Sequence, residues 1–154
     1  MKEIERKFLV LNNDFMNDSY ENYAIKQGFI SNDPERVVRI RIARNKGFLT
    51  IKGKNIGIER LEWEKEIAIK EAEILLTLCK KPILDKTRFL VNFHSFIYEI
   101  DVFNNENHGL IIAELELENS NQPFEKPLWL GKEVSDDNRY YNSNLIENPF
   151  NNWV

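Results

Sequence analysis

Carboxylates and cations recur at every second position through much of the chain. Glu3, Glu5 and Lys7 alternate with Ile4, Arg6 and Phe8, while Arg39 and Arg41 alternate with Val38, Ile40 and Ile42, and Lys52 stands between Ile51 and Gly53. Glu62 and Glu64 flank Trp63, Lys86 and Arg88 flank Thr87, Glu99 and Asp101 flank Ile100, and Glu114 and Glu116 flank Leu115. In an extended segment residues i, i+2 and i+4 share a face, so each segment carries a charged face opposite an apolar one. On a single strand such a face is ordinarily just solvated. Repeated over nearly every strand, with cations gathered on some and acids on others, it fits a sheet closed with its charged faces inward, compensating one another. An uncompensated buried ion costs on the order of several kcal/mol, so a ligand is needed to account for such a lumen. Lys7, Arg39, Arg41, Lys52, Lys86 and Arg88 suit a polyphosphate, because ammonium and guanidinium groups make charge-assisted bonds to phosphate oxygens. Carboxylates beside them suit Mg²⁺ or Mn²⁺, which prefer oxygen ligands and are commonly bound with phosphates.

The elements that must position these side chains are mostly strands. Period-two alternation predicts eight, over roughly 3–10, 22–31, 36–44, 47–54, 59–69, 86–93, 96–103 and 110–118. Turn signals such as Asn32-Asp33-Pro34, Asn45-Lys46-Gly47 and Asn55-Ile56-Gly57 separate them and favour antiparallel neighbours. Ile74, Leu75 and Leu78 predict one helix over Glu71 to Lys81, stopped by Pro82. Ser135, followed by Asp136 and Asp137, reads as the N-cap of a second helix over Asn138 to Ile146, and residues 12–21 can hold a short helical turn. The expected fold class is mainly β (α+β), with the apolar strand faces pointing outward beneath a few helices.

The 154 residues make one domain, 1–154, large enough for a real core. With 42% hydrophobic and 30% charged residues and no apolar run near the ~20 residues a bilayer requires, disorder and membrane helices are both excluded. A net charge of −4 gives no polyanion-binding surface overall. Cys79 has no partner for a disulfide, and with only two histidines a structural zinc site is excluded. The charged opening Met-Lys-Glu-Ile-Glu-Arg-Lys has no apolar signal-peptide core, so a cytoplasmic setting is expected. Trp63, Trp129 and Trp153 read as core or cover residues rather than stacking platforms, and Cys79 as a buried thiol.

The motif Glu3-Ile4-Glu5-Arg6-Lys7, taken with the motifs downstream of it, resembles the CYTH proteins, also called triphosphate tunnel metalloenzymes. Gln27-Gly28-Phe29-Ile30, Arg39-Ile40-Arg41, Thr50-Ile51-Lys52, Glu62-Trp63-Glu64, Asp85-Lys86-Thr87-Arg88, Glu99-Ile100-Asp101, Glu114-Leu115-Glu116, Gly131-Lys132-Glu133-Val134 and Arg139-Tyr140 come in the family's order over about the whole chain. The likeness is greatest to short bacterial single-domain members that hydrolyse inorganic tripolyphosphate or nucleoside triphosphates. It implies a closed eight-stranded antiparallel β-barrel tunnel. It also implies Glu3, Glu5 and Glu116 as principal metal ligands, with Glu62, Glu64, Asp101 and Glu114 as further ligands or as partners that orient them. Arg39, Arg41, Lys52, Lys7 and Arg88 would grip phosphate, and Lys86 would either position or deprotonate the attacking water or add one more phosphate contact. Asn138 departs from the lysine that relatives often carry before Arg-Tyr, which weakens any cationic part for the C-terminal helix.

The expected activity is thus a metal-dependent conversion of triphosphate to diphosphate and phosphate. The alternatives are a class IV-type adenylate cyclase, on the same fold, and a non-catalytic polyphosphate or nucleotide binder, which would gain little from so many carboxylates. Nucleic-acid binding through Arg36, Arg39, Arg41 and Arg44 is disfavoured, because Arg36 and Arg44 break the stripe. The expected partner is a small triphosphate, with neither nucleic acid nor membrane, and a homodimer is an open arrangement.

Overall fold

The computed structural model describes residues 1–153. Strands β1 (Lys2–Val10), β2 (Glu21–Asp33), β3 (Arg36–Ala43), β4 (Lys46–Lys52), β5 (Glu59–Ile67), β6 (Leu84–Phe93), β7 (Phe96–Phe103), β8 (Ile111–Glu116) and β9 (Leu130–Glu133) hydrogen-bond in the order β5-β4-β3-β2-β6-β7-β8-β1-β9. β1 also pairs with β5, which closes eight antiparallel strands into a barrel. All eight expected strands are present. The ninth, Leu130–Glu133, lies alongside the far end of β1 and is too short and too glycine-bearing to show a period in the sequence.

Three small helices accompany the barrel: α1 (Phe15–Asp18), α2 (Ile69–Leu76) and α3 (Asn142–Leu145). The Glu71 carboxylate accepts from the Ala68 amide at the start of α2. The helix stops at Leu76 rather than Lys81, because the Lys80 amide is drawn instead to the Phe29 carbonyl of β2. Cys79 is buried just beyond the helix, where a Cβ added to Gly28 would lie 2.7 Å from the cysteine Cβ, so only glycine allows that approach. The expected C-terminal helix is broken into a 3₁₀ turn, Asn138–Tyr140, and α3. Asp137 accepts from the Arg139 amide there, whereas Ser135 is used elsewhere, accepting from the Lys7 amide.

The apolar residues form three groups. Outside the barrel, Phe8, Val91, Tyr98, Ile100, Ala113 and Leu115 are covered by Phe15 of α1 and by Trp129. Ile40, Ile42 and Leu49 of β3 and β4 are covered by Ala72, Leu75 and Leu76 of α2. The third group lies inside. Val37, Leu84, Phe103 and Ile112 share the parity of the lumenal charges on their own strands, Phe29 shares that of Gln27, and all five pack with Leu110 against Val134, Tyr140, Leu145 and Ile146. The lumen is therefore charged over only part of its length, and the C-terminal segment seals the apolar part. Trp153 covers Tyr140 and Phe150 as expected of it, whereas Trp63 is 39% exposed on the outer face of β5. Among the described residues no helix is long and apolar enough to cross a membrane.

Candidate active site

Cross-strand register brings the charged faces together. Lys7 lies opposite Glu114, which in turn lies opposite Glu99; Glu5 faces Glu116; Glu3 faces Arg60; Lys52 faces Glu62; and Arg88 faces Asp101. The result is a cavity of about 250 Å³ in the barrel. It is lined by every residue expected to hold phosphate or metal except Asp101, which is 1% exposed, buried against Lys86 and Arg88 on the face of β7 that carries Glu99.

Most of the cations are already engaged. Lys7 donates to Glu114 and, at 3.0 Å, to Glu5, and these two carboxylates hold its pKa above the ordinary lysine value although burial opposes them. The Lys52 ammonium lies 3.1 and 3.0 Å from the two oxygens of Glu3. Arg39 donates to Thr50 at 3.0 Å and to Glu64 at 3.3 Å. Arg88 holds both oxygens of Asp101, at 2.8 and 2.9 Å, and reaches Glu99 and Glu114 at 3.1 and 3.0 Å. Lys86 is 2.8 Å from Asp101 and donates to Asn142 at 2.8 Å.

Arg41 is different. Both of its bonds, at 3.0 and 2.8 Å, go to the neutral Oε1 of Gln27, and among the described residues it has no ion-pair partner. Burial, then repulsion from Arg39 and Arg88, bring its pKa down to about 9. Burial likewise lowers Lys86 to about 7, although Asp101 pulls the other way.

The acids divide in the same manner. Burial alone would raise Asp101 and Glu114, but Arg88 and Lys86 hold Asp101 near 2, and Lys7 and Arg88 hold Glu114 well below the ordinary value. Glu3, Glu5 and Glu116 go upward, first through burial and then through neighbouring carboxylates. One oxygen of Glu62 is buried without a hydrogen-bond donor. Among the described residues no three acidic, histidine or cysteine side chains are gathered tightly enough to hold a metal on their own. Lys7 and Lys52 occupy Glu5 and Glu3 instead, and an anion that drew those lysines away would leave oxygen-only, mutually repelling carboxylates suited to a hard divalent cation. The donor set therefore fits such an ion when an anion is bound with it.

Several lining residues were not expected. Arg60 shares the parity of Glu62 and Glu64, and Glu99 that of Asp101, so their place was readable from alternation. Ser135, Tyr141 and Asn142 come from the C-terminal segment, and no periodicity announces them. Arg36 and Arg44 lie outside the lumen, paired with Asp33 and Glu21.

The comparisons with known proteins agree with this architecture. The CYTH domain family matches residues 1–144. An inorganic triphosphatase of Acetivibrio thermocellus is 47% identical over 157 residues, covering 99% of this chain and 97% of that protein. One from Nitrosomonas europaea is 32% identical over 149 residues, covering 94% and 97%. A crystal structure of an inorganic triphosphatase superposes with a TM-score of 0.66 at 30% identity, over 94% of this chain and 93% of that one. A barrel closed around alternating cations and acids, matched along nearly its whole length, places the chain in the CYTH family.

Proposed function

We propose that residues 1–154 form a single-domain, metal-dependent triphosphatase whose substrate is inorganic tripolyphosphate. The observation that carries this reading is the mismatch inside one cavity: among the described residues Arg41 has no carboxylate, while the buried Glu62 Oε2 has no hydrogen-bond donor and only the Lys52 ammonium, 3.7 Å away and already bonded to Glu3, to balance it. A cation and an anion are both wanted in one place, which a metal–triphosphate pair supplies.

In this reading Arg39, Arg41, Lys52, Lys7 and Arg88 hold the phosphate oxygens and spread the charge that grows as the terminal bridge breaks. Glu3, Glu5 and Glu116 would hold Mg²⁺ or Mn²⁺, with Glu62, Glu64 and Glu114 close by. Asp101, away from the cavity lining, serves as the counter-ion that keeps Lys86 and Arg88 aimed inward. The bound metal would neutralise phosphate oxygens and polarise the terminal phosphorus. Lys86 orients the attacking water, and its low pKa lets it pass between charged and neutral forms near pH 7. Water adds to the terminal phosphorus, the bridging P–O bond breaks, and the products are phosphate and diphosphate. The lone, buried Cys79 supports a reducing, cytoplasmic setting.

Phosphate release from tripolyphosphate with Mg²⁺ or Mn²⁺, measured with and without chelator, tests the reading. Activity that needs the metal is expected. Full turnover after rigorous chelation removes the metal assignment, and cyclic AMP formation from ATP in place of phosphate release from tripolyphosphate makes the protein a cyclase.

A further inference from the structure

A chain of two neutral amides crosses the floor of the cavity. The Gln27 Oε1 accepts twice from Arg41, the Gln27 Nε2 donates to the Asn142 Oδ1 at 3.0 Å, and the same Asn142 oxygen accepts from Lys86 at 2.8 Å. Arginine and lysine have only donors to offer, so both amides must turn their oxygens toward the cations. That fixes the direction of every bond in the chain. Gln27 is wholly buried, and its bonds leave neither end of its amide orphaned.

What is unusual is the choice of a neutral group. Lys7, Lys52, Arg39 and Arg88 each take a carboxylate in the same barrel, and a carboxylate compensates a cation's charge, which the oxygen of a neutral amide does not. Lys86 has one carboxylate, Asp101, but shares it with Arg88, which takes both of its oxygens. We propose that Gln27 and Asn142 are positioning residues that link Arg41 and Lys86 in one bonded chain without adding a carboxylate to it, so that Arg41 meets the substrate with its positive charge unspent. Asn142 stands at the start of α3, and the neighbouring Leu145 and Ile146 anchor that segment in the apolar end of the lumen. The C-terminal segment therefore seals the barrel and also completes the anion-binding face.

This inference rests on the triphosphatase reading, and the test keeps the two apart. Gln27→Glu and Asn142→Asp keep size and hydrogen-bonding reach but add a carboxylate, whereas Gln27→Met keeps bulk and removes the amide. Each is compared with wild type by ligand-free thermal unfolding and by steady-state hydrolysis of tripolyphosphate with Mg²⁺. The carboxylate variants are expected to melt at or above the wild-type temperature while their KM rises about tenfold or more, because a substrate anion now competes with a resident one. Gln27→Met is expected to melt lower and to lose kcat, since nothing then aligns Arg41. Carboxylate variants that melt lower with an unchanged KM overturn the proposal, because the amides then serve packing alone. Wild-type protein that releases no phosphate overturns the triphosphatase reading instead; in that case a higher melting temperature for Gln27→Glu still supports an uncompensated Arg41, and a lower one counts against it.

Discussion

Asp101 shows how one side chain can decide the state of two others. It is 1% exposed, and its oxygens lie 2.8 and 2.9 Å from Arg88 and 2.8 Å from Lys86. Burial alone would raise its pKa, but the two cations win and bring it from the usual 3.8 to about 2. A carboxyl with a depressed folded-state pKa binds its proton more readily when unfolded. Its contribution to stability is therefore complete above about pH 4 and is lost as the pH falls through about 2. Asp101→Asn should cost roughly 3–5 kcal/mol at neutral pH, because it leaves two buried cations short of a counter-charge. It should also flatten the fall in stability between pH 4 and 2. Urea midpoints collected across that range for both proteins check this, and parallel acid limbs would show that Asp101 is not the group being titrated.

At the scale of elements, the C-terminal segment does the most with the fewest residues. Leu145, on the four-residue α3, is fully buried in the lumenal apolar group, three positions after the Asn142 that bonds Lys86. Leu145→Ala should destabilise the fold by ~2–5 kcal/mol. If α3 seats Asn142, kcat for tripolyphosphate should fall as well under conditions where the variant remains folded; loss of stability with kcat intact would separate the seal from the site. Legibility in the sequence divides along the same line. Strands announce themselves through period two, and parity alone puts Glu3, Glu5 and Lys7 on one face of their strand and Arg39 and Arg41 on one face of theirs. Parity also contained Arg60 and Glu99, beside residues already singled out. It could not contain Ser135, Tyr141 and Asn142, whose arrival depends on a segment of short helical turns folding back more than fifty positions onto β6. The break in the C-terminal helix was hidden for a related reason. Ser135 and Asp137 are both good caps, and only the tertiary bond from the Lys7 amide shows which of them is committed elsewhere.

Across the whole molecule the usual arrangement of a small barrel is partly reversed. Two apolar groups lie outside the sheet under helices and loops, and the inside is half apolar seal and half ion pairs. Such an interior is least comfortable when empty, since Arg39, Arg41 and Arg88 repel one another and Glu3, Glu5 and Glu116 do the same. Ligand should therefore raise stability, and the increment should depend on the residue that most lacks a partner. In the absence of ligand, Arg41→Ala should match or exceed the stability of the wild type, because it removes a repelled cation held only by the neutral Gln27. With Mg²⁺ and a non-hydrolysable triphosphate at 100 times the wild-type Kd, the wild type should gain about 2.7 kcal/mol. Loss of a charge-assisted contact of ~1.5–3 kcal/mol weakens binding tenfold or more. At that same concentration the variant should then gain only about 1.4 kcal/mol or less. The two melting curves thus cross in rank: the variant stands level or ahead when empty and falls behind when loaded. A variant that loses stability empty and gains as much as the wild type when loaded would place Arg41 among ordinary structural ion partners and remove the anion from this part of the lumen.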